Sequence, residues 1–243
     1  MALAPGEQMT FRVGWGVFGS AGEITINATT GKTPGQLIVA TTTGTRGFLK
    51  NFFPFEATST AVFCASNGLL LSSVESSSAK RKNTRQTLDF DYTTRTAKYI
   101  NQVASEKSRD LTFPEGQPMD LITALVQTRA WNLKPGEKQD ALVIFDDDFY
   151  ELTIHAEGYE ILKTTLGEFK TLVLVPRMEK TEPKGMFKRG STVKVWISQD
   201  ELKLPIRFQV EFKFGAGIAT LINYRPPADA ELATPPHAPD TRA

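Results

Sequence analysis

Residues 185–224 read GMFKRGSTVKVWISQDELKLPIRFQVEFKFGAGIATLINY, and the second half of that stretch alternates without a break. Leu204, Ile206, Phe208, Val210, Phe212 and Phe214 take one side; Arg207, Gln209, Glu211 and Lys213 take the other. Successive side chains of an extended chain point to opposite faces, so a period of two predicts a strand buried on one face and wet on the other. The same reading extends upstream. Met9, Phe11, Val13, Trp15 and Val17 share one face of a strand over 8–17, with Gly14 and Gly16 opposite, where a curved strand or a close neighbour favours no side chain.

Turn signals recur about every ten residues, as in a meander of hairpins. Further strands are predicted over 23–27, 36–43, 56–66, 69–77, 85–91, 97–103, 149–157, 160–165 and 169–176, with an EG turn at Glu157–Gly158 separating two of them. Ala141, Leu142, Val143, Ile144 and Phe145 form an apolar run, as do Leu172, Val173, Leu174 and Val175, so these strands should be central and covered on both faces. One segment follows another period. In PMDLITALVQTRAW (118–131), Leu121, Leu125 and Thr128 are spaced for a helix of about three turns, with Asp120 as its capping residue.

The expected fold is all-β with one helix: a strongly curved antiparallel sheet forming a closed or half-open barrel, because closure removes edges that so many strands would expose. Residues 1–224 form a single domain, long enough to bury its own core. Residues 225–243 form a flexible proline-rich tail, too poor in large apolar groups to order itself.

The formal net charge of +1 gives no whole-chain attraction to nucleic acid or to an anionic membrane. One cysteine, Cys64, excludes an internal disulfide, and no apolar run reaches the ~20 residues of a membrane-spanning helix. The opening MALAPGE has no basic or apolar signal region, which fits either a cytosolic chain or a mature exported one whose signal peptide is absent.

Four segments together resemble the bacterial family called domain of unknown function 3108: GEQMTFRVGWGVFGSAGEITI (6–26), MDLITALVQTRAWNLKPGE (119–137), GYEILKTTLGEFKTLVLVP (158–176) and VWISQDELKLPIRFQVEFKFGAGIATL (195–221). Trp196 and Asp200 followed by Pro205-Ile206-Arg207 are the most specific part of the pattern. The resemblance implies an antiparallel β-rich protein of the bacterial envelope, periplasmic after export. It implies no activity. The acidic turn and the proline-rich tail depart from the family's pattern.

The residues that could carry chemistry are few. His155 alternates with polar neighbours and is expected as an exposed strand residue; His237 lies in the tail; Cys64 is expected as a packed thiol. Asp146, Asp147 and Asp148 read as a solvated turn, without the spacing of a calcium loop. The basic run at 79–85 reads as a hairpin tip. Asp89 and Asp91, or Asp200 and Glu201, could supply paired carboxylates for glycoside hydrolysis if a cleft brought them together. Asp200 could also pair with Arg207 across a hairpin. Phe48, Phe52, Phe53 and Phe55 crowd one connection, expected to cap the core; exposed, they would mark a binding patch. Trp196 stands among Lys194 and Ser198 on the polar side of its strand, where it could stack on a sugar ring, line a wet cavity or equally pack under the helix.

The expected function is therefore a non-catalytic, periplasmic envelope protein whose concave face binds a lipid-like or glycan ligand through Trp15, Phe52, Phe53, Arg129, Trp131 and Trp196. The alternatives are a carbohydrate-active enzyme and a structural or assembly partner of other envelope proteins. No catalytic residue, metal ligand, cofactor or nucleic-acid partner is assigned.

Overall fold

The computed structural model describes residues 2–227 apart from 17, 48, 81, 189, 190, 213 and 214. Most of the tail expected over 225–243, with His237, lies outside the described residues, as do Phe48 and Phe214. The first half of the chain is a run of hairpins: β1 (Gln8–Trp15), β2 (Phe18–Thr30), β3 (Gln36–Thr45), a single helical turn α1 (Leu49–Phe52), β4 (Phe55–Cys64), β5 (Leu70–Ala79), β6 (Lys82–Asp91), β7 (Thr96–Asn101) and β8 (Arg109–Thr112). The second half begins with β9 (Pro118–Asp120) and α2 (Leu121–Gln127). It continues through β10 (Lys138–Phe145), β11 (Asp148–Thr164), β12 (Gly167–Arg177), β13 (Thr192–Ser198), β14 (Pro205–Phe212) and β15 (Gly215–Arg225).

All fifteen strands form one sheet, in the order β8-β7-β6-β5-β4-β3-β2-β1-β15-β14-β13-β12-β11-β10-β9. The first and last strands of the chain pair in its middle, and its two edges, β8 and β9, are neighbours in sequence. Every pairing is antiparallel except β9 with β10. The sheet is an open ring: half-open, not closed. At Gly22 a Cβ would lie 2.7 Å from the Gly44 carbonyl oxygen, so β2 and β3 approach there more closely than any side chain would allow.

The sheet is folded over itself. One core holds the concave face of β1–β8 (Phe11, Ile26, Val39, Phe63, Leu88) together with Leu142 and Ile144 of β10, Val173 and Val175 of β12, and Trp196 of β13. A second core holds the opposite face of β10–β13 (Val143, Leu152, Ile154, Leu174, Val195) against Ala124, Leu121 and Leu125 of α2, with Trp131 and Phe187. Ala141 to Ile144 and Thr171 to Pro176 are buried at every position, as their apolar runs predict, but Phe145, expected to be covered with the first run, is exposed at the end of β10. The helix sits between the two cores, with Val126 in the first and Ala124 in the second.

Several local expectations are corrected. The strands expected over 149–157 and 160–165 are one strand, β11, because Glu157–Gly158 is a bulge and not a turn: Ala156 faces Leu174 and Gly158 faces Val173, leaving Glu157 as the extra residue. The helix has seven residues, because Pro118–Asp120 pairs with β10 and the Thr128 hydroxyl donates to the Leu125 carbonyl at 2.6 Å, where the chain tightens into a 3-10 turn. The first strand ends at Trp15, with Gly16 in the left-handed conformation of the hairpin turn. Cys64 is only half-buried; Ser66 and two backbone groups hydrogen-bond its sulfur and hold the thiol below its usual range. Asp200 does not pair with Arg207. It accepts from the Ser198 hydroxyl at 2.7 Å and the Lys203 N–H at 3.0 Å, while Arg207 lies over the Trp196 ring.

Candidate functional site: a cleft between the concave wall and the helix

The concave face of β3–β7 changes character along its length. Its deepest cross-strand rows are apolar: Leu37, Phe63 and Leu70, then Val39, Ala61, Ser73, Leu88 and Tyr99. The next row is Thr41, Ser59, Glu75, Gln86 and Asn101, and the one beyond it is Thr43, Ala57, Ser77 and Thr84. These side chains keep the phase of the core residues, so they also point inward. There they meet Asp120, Leu121 and Ile122 at the start of α2 and Ile144, Phe145 and Asp146 at the end of β10, across a cleft of about 290 Å³. Phe55 borders it at the mouth. One wall is hydroxyl, amide and carboxyl; the other is aliphatic and aromatic through Leu121, Ile122, Ile144 and Phe145, flanked by the carboxyls of Asp120 and Asp146.

A chain of hydrogen bonds holds the polar wall. Asn101 Nδ2 donates to the Tyr99 hydroxyl at 3.1 Å, that hydroxyl donates to Gln86 Oε1 at 3.0 Å, and Gln86 Nε2 donates to Glu75 Oε2 at 3.0 Å. The Ser77 and Thr84 hydroxyls are 2.7 Å apart. Burial pushes the Glu75 carboxyl above its usual range; the Gln86 bond opposes this, and the charges of Asp120 and Asp146 add to it. Asp120 is 7 % exposed and is also pushed up by burial. Its Oδ1 caps α2 by accepting the Thr123 N–H at 2.9 Å, but its Oδ2, buried against the cleft, has no hydrogen-bond partner. A buried carboxyl oxygen left without a donor is costly, and a ligand can supply what the protein does not.

The six residues expected to contact a ligand do not gather here. Trp15 is 44 % exposed at the end of β1, its ring against Gly217 of β15. Phe52 and Phe53 are 52 % and 70 % exposed on the turn before β4, and Phe55 is exposed as well, so these three lie outside the core that they were expected to cap. Arg129 is locked into the fold: it pairs with buried Glu7 at 2.7 Å and donates to the carbonyls of Ala2 and Leu202. Trp131 is half-buried between the second core and a separate hollow of about 270 Å³ that also holds Gln127, Gln139, Asp140 and Lys180. Trp196 is buried, its indole N–H donating to Glu160 Oε2 at 2.8 Å, so the side of β13 read as wet is part of the first core.

The carboxylates noted in sequence are also dispersed. Asp89 is exposed, Asp91 caps its own turn through the N–H groups of Thr93 and Thr94, and Asp200 and Glu201 sit on an exposed turn. His155 pairs with Glu179 at 2.8 Å at the surface. The acidic turn is spread by its own pairings, with Asp147 bound to Arg109 and Asp148 to Lys184. Among the described residues no cluster of His, Cys, Asp and Glu could hold a metal ion, and no helix is long and apolar enough to cross a membrane. Glu75, Gln86 and Asp120 were not legible as a site. The available signal was on β3, where Thr41 and Thr43 continue the phase of Leu37 and Val39; on β5, Ser73, Glu75 and Ser77 join the face of Leu70 only through the bulge at Leu71, which the alternation does not show.

The profile of the family described as Protein of unknown function (DUF3108) matches residues 10–222. No curated protein matches the chain. Among solved structures, the chain is similar to a beta-barrel-like protein of domain of unknown function DUF1849 from Brucella abortus, at 8 % identity and a TM-score of 0.59, over 91 % of this chain and 98 % of that one. Looser likenesses are to a candidate lipoprotein from Parabacteroides distasonis (9 % identity, TM-score 0.34) and to a protein with a YmcC-like fold from Bacteroides fragilis (10 %, 0.31), each over 91 % of this chain and 96 % of the other. The first likeness is one of fold; the other two are too loose to support one.

Proposed function

The chain belongs to the DUF3108 family, and from that premise we propose that it is a non-catalytic protein of the bacterial envelope, exported to the periplasm, whose concave cleft binds a glycan-type ligand. The observation that carries this reading is the in-phase switch from apolar to polar on the inner face of β3–β7, opposite an apolar wall that includes Phe145. Sugar rings need such a pairing: hydrogen-bond partners for their hydroxyls on one side and an apolar surface for their C–H faces on the other. The cleft is preformed and held by its own hydrogen bonds, which limits the ordering cost of binding.

The test is binding of the purified protein to an array of bacterial envelope glycans, followed by calorimetry on the hits. Phe145 is 40 % exposed, so Phe145→Ala spares the fold and removes apolar surface from the cleft; an affinity loss of about tenfold, or 1.4 kcal/mol, is expected. Absence of any glycan ligand defeats the reading. A second reading, a carbohydrate-active enzyme, is favoured by one observation: Glu75 and Asp120 are the carboxyl pair that a shared cleft brings within electrostatic reach. Mass spectrometry of the same incubations checks it, since cleavage products that vanish in Glu75→Gln would establish hydrolysis.

A further inference from the structure

We propose that the cleft recognises an ammonium group, so that its ligand is an aminated glycan and not a neutral one. This rests on the glycan reading above and narrows it. The side chains lining the cleft include three carboxyl groups, Glu75, Asp120 and Asp146, and no lysine or arginine. Three other hollows each carry a cation: Lys180 in the one beside Trp131, Arg12 and Lys163 beside β1 and β15, Lys82 and Lys107 beside β6 and β7. The last of these adjoins the cleft through Thr84, Gln86 and Asp146, so Asp146 shares a hollow with two lysines, while no lysine or arginine lines the cleft itself beside Glu75 and Asp120.

Asp120 adds an independent mark. Its Oδ2 is buried and without a partner, although the same residue's Oδ1 is fully used in capping α2. A neutral hydroxyl could donate to Oδ2, but it would bring no charge to oppose a carboxylate once one forms in the cleft. An ammonium group supplies both, with three N–H donors and the opposite charge. It would sit between Asp120 and Glu75, and the hydroxyls of Thr41, Ser59, Ser77 and Thr84 on the same wall are placed for ring oxygens. Burial holds both carboxyls toward their neutral forms in the empty cleft, and a bound cation favours ionisation.

The experiment compares two tetrasaccharides that differ only in amine acetylation: a chitosan tetramer and chitotetraose. Isothermal titration of the full chain should show the free amine bound at least about tenfold more tightly, a difference of 1.4 kcal/mol. Asp120→Asn keeps a capping side chain but removes the charge, and Glu75→Gln keeps the bond network near the surface of the cleft. Each should erase most of the preference, with folding checked by circular dichroism. If chitotetraose binds as well as the free amine, the ammonium proposal falls and the glycan reading stands. If neither binds, both fall. Preference for the amine that survives in both variants would place recognition elsewhere and overturn the proposal.

Discussion

The wall formed by β1–β8 and the ribbon formed by β10–β13 belong to one sheet but solve opposite problems. From Gln36 to Thr43 of β3 the burial alternates position by position, and in β4 the outward Thr60 is exposed while Ala61 and Phe63 are buried. Along β12 six consecutive residues, Thr171 to Pro176, are buried. The wall has a face to spare for water and, at its outer end, a concave surface to spare for a ligand. The ribbon has neither, because the wall covers one of its faces and α2 the other. Room for function in this molecule therefore lies on the side whose pattern alternates, at the point where the inward phase turns polar.

A lysine scan would break or confirm that contrast most forcefully. Lysine at Thr60 should shift the urea midpoint by no more than about 0.5 kcal/mol of stability, as at other exposed sites. Lysine at Val173 or Leu174 buries an unpaired charge in one core or the other, and a loss of about 5 kcal/mol or more, read as insolubility or a collapsed thermal transition, is expected at both. Tolerance at either position would mean that one face of the ribbon is open.

The seam between the two regions should come next. Glu7, just before β1, is 3 % exposed in its side chain, and Arg129, just after α2, is 11 % exposed; their pair ties the end of the helix to the middle of the sheet. Tyr224 donates to the same Glu7 oxygen at 3.0 Å. Glu7→Ala strands the guanidinium in a buried place, and about 3–5 kcal/mol of stability should be lost in denaturant titrations. Replacing both members, as Glu7→Leu with Arg129→Met, should recover much of that loss; failure to recover would assign the cost to the carbonyl contacts of Arg129 and not to its charge.

What the sequence disclosed follows the same division. Met9, Phe11, Leu37, Val39 and Phe63 announce the wall because an alternating pattern names its buried face without knowing what covers it. The apolar runs of β10 and β12 announce burial on both faces, but not that one face meets the wall and the other a helix, since that depends on how the sheet folds back. Trp196 was misplaced for this reason: its polar neighbours suggest water, yet its face is closed by the wall and Glu160 satisfies its N–H. Phe52 and Phe53 erred the other way, since a local cluster of apolar residues does not reveal whether its connection packs inward. The cleft was hidden because Glu75 and Asp120 are 45 positions apart in the chain and meet only through the return of the sheet's second edge.

The smallest expected effect concerns the cleft's two carboxyls, and its sign distinguishes this end of the wall from the salt-bridged surface. Burial raises Asp120 and Glu75 above their unfolded values, so the folded chain holds these protons to higher pH than the unfolded chain does. Their contribution to stability is thus full below the unfolded values of 3.8 and 4.5 and is lost as pH rises through the raised ones. Asp140 behaves oppositely: bonds from Lys180 and Thr153 lower it, so its contribution is lost as pH falls. Wild type alone mixes these signs. The difference in Tm between Asp120→Asn and wild type removes the shared terms, and it should grow by a few degrees in favour of the variant from acid to neutral pH, where wild type alone must bury a charge. A difference that stays flat across that range would mean that Asp120 ionises freely in the fold, and the cleft would then lack the desolvated carboxyl on which its preference for a cation depends.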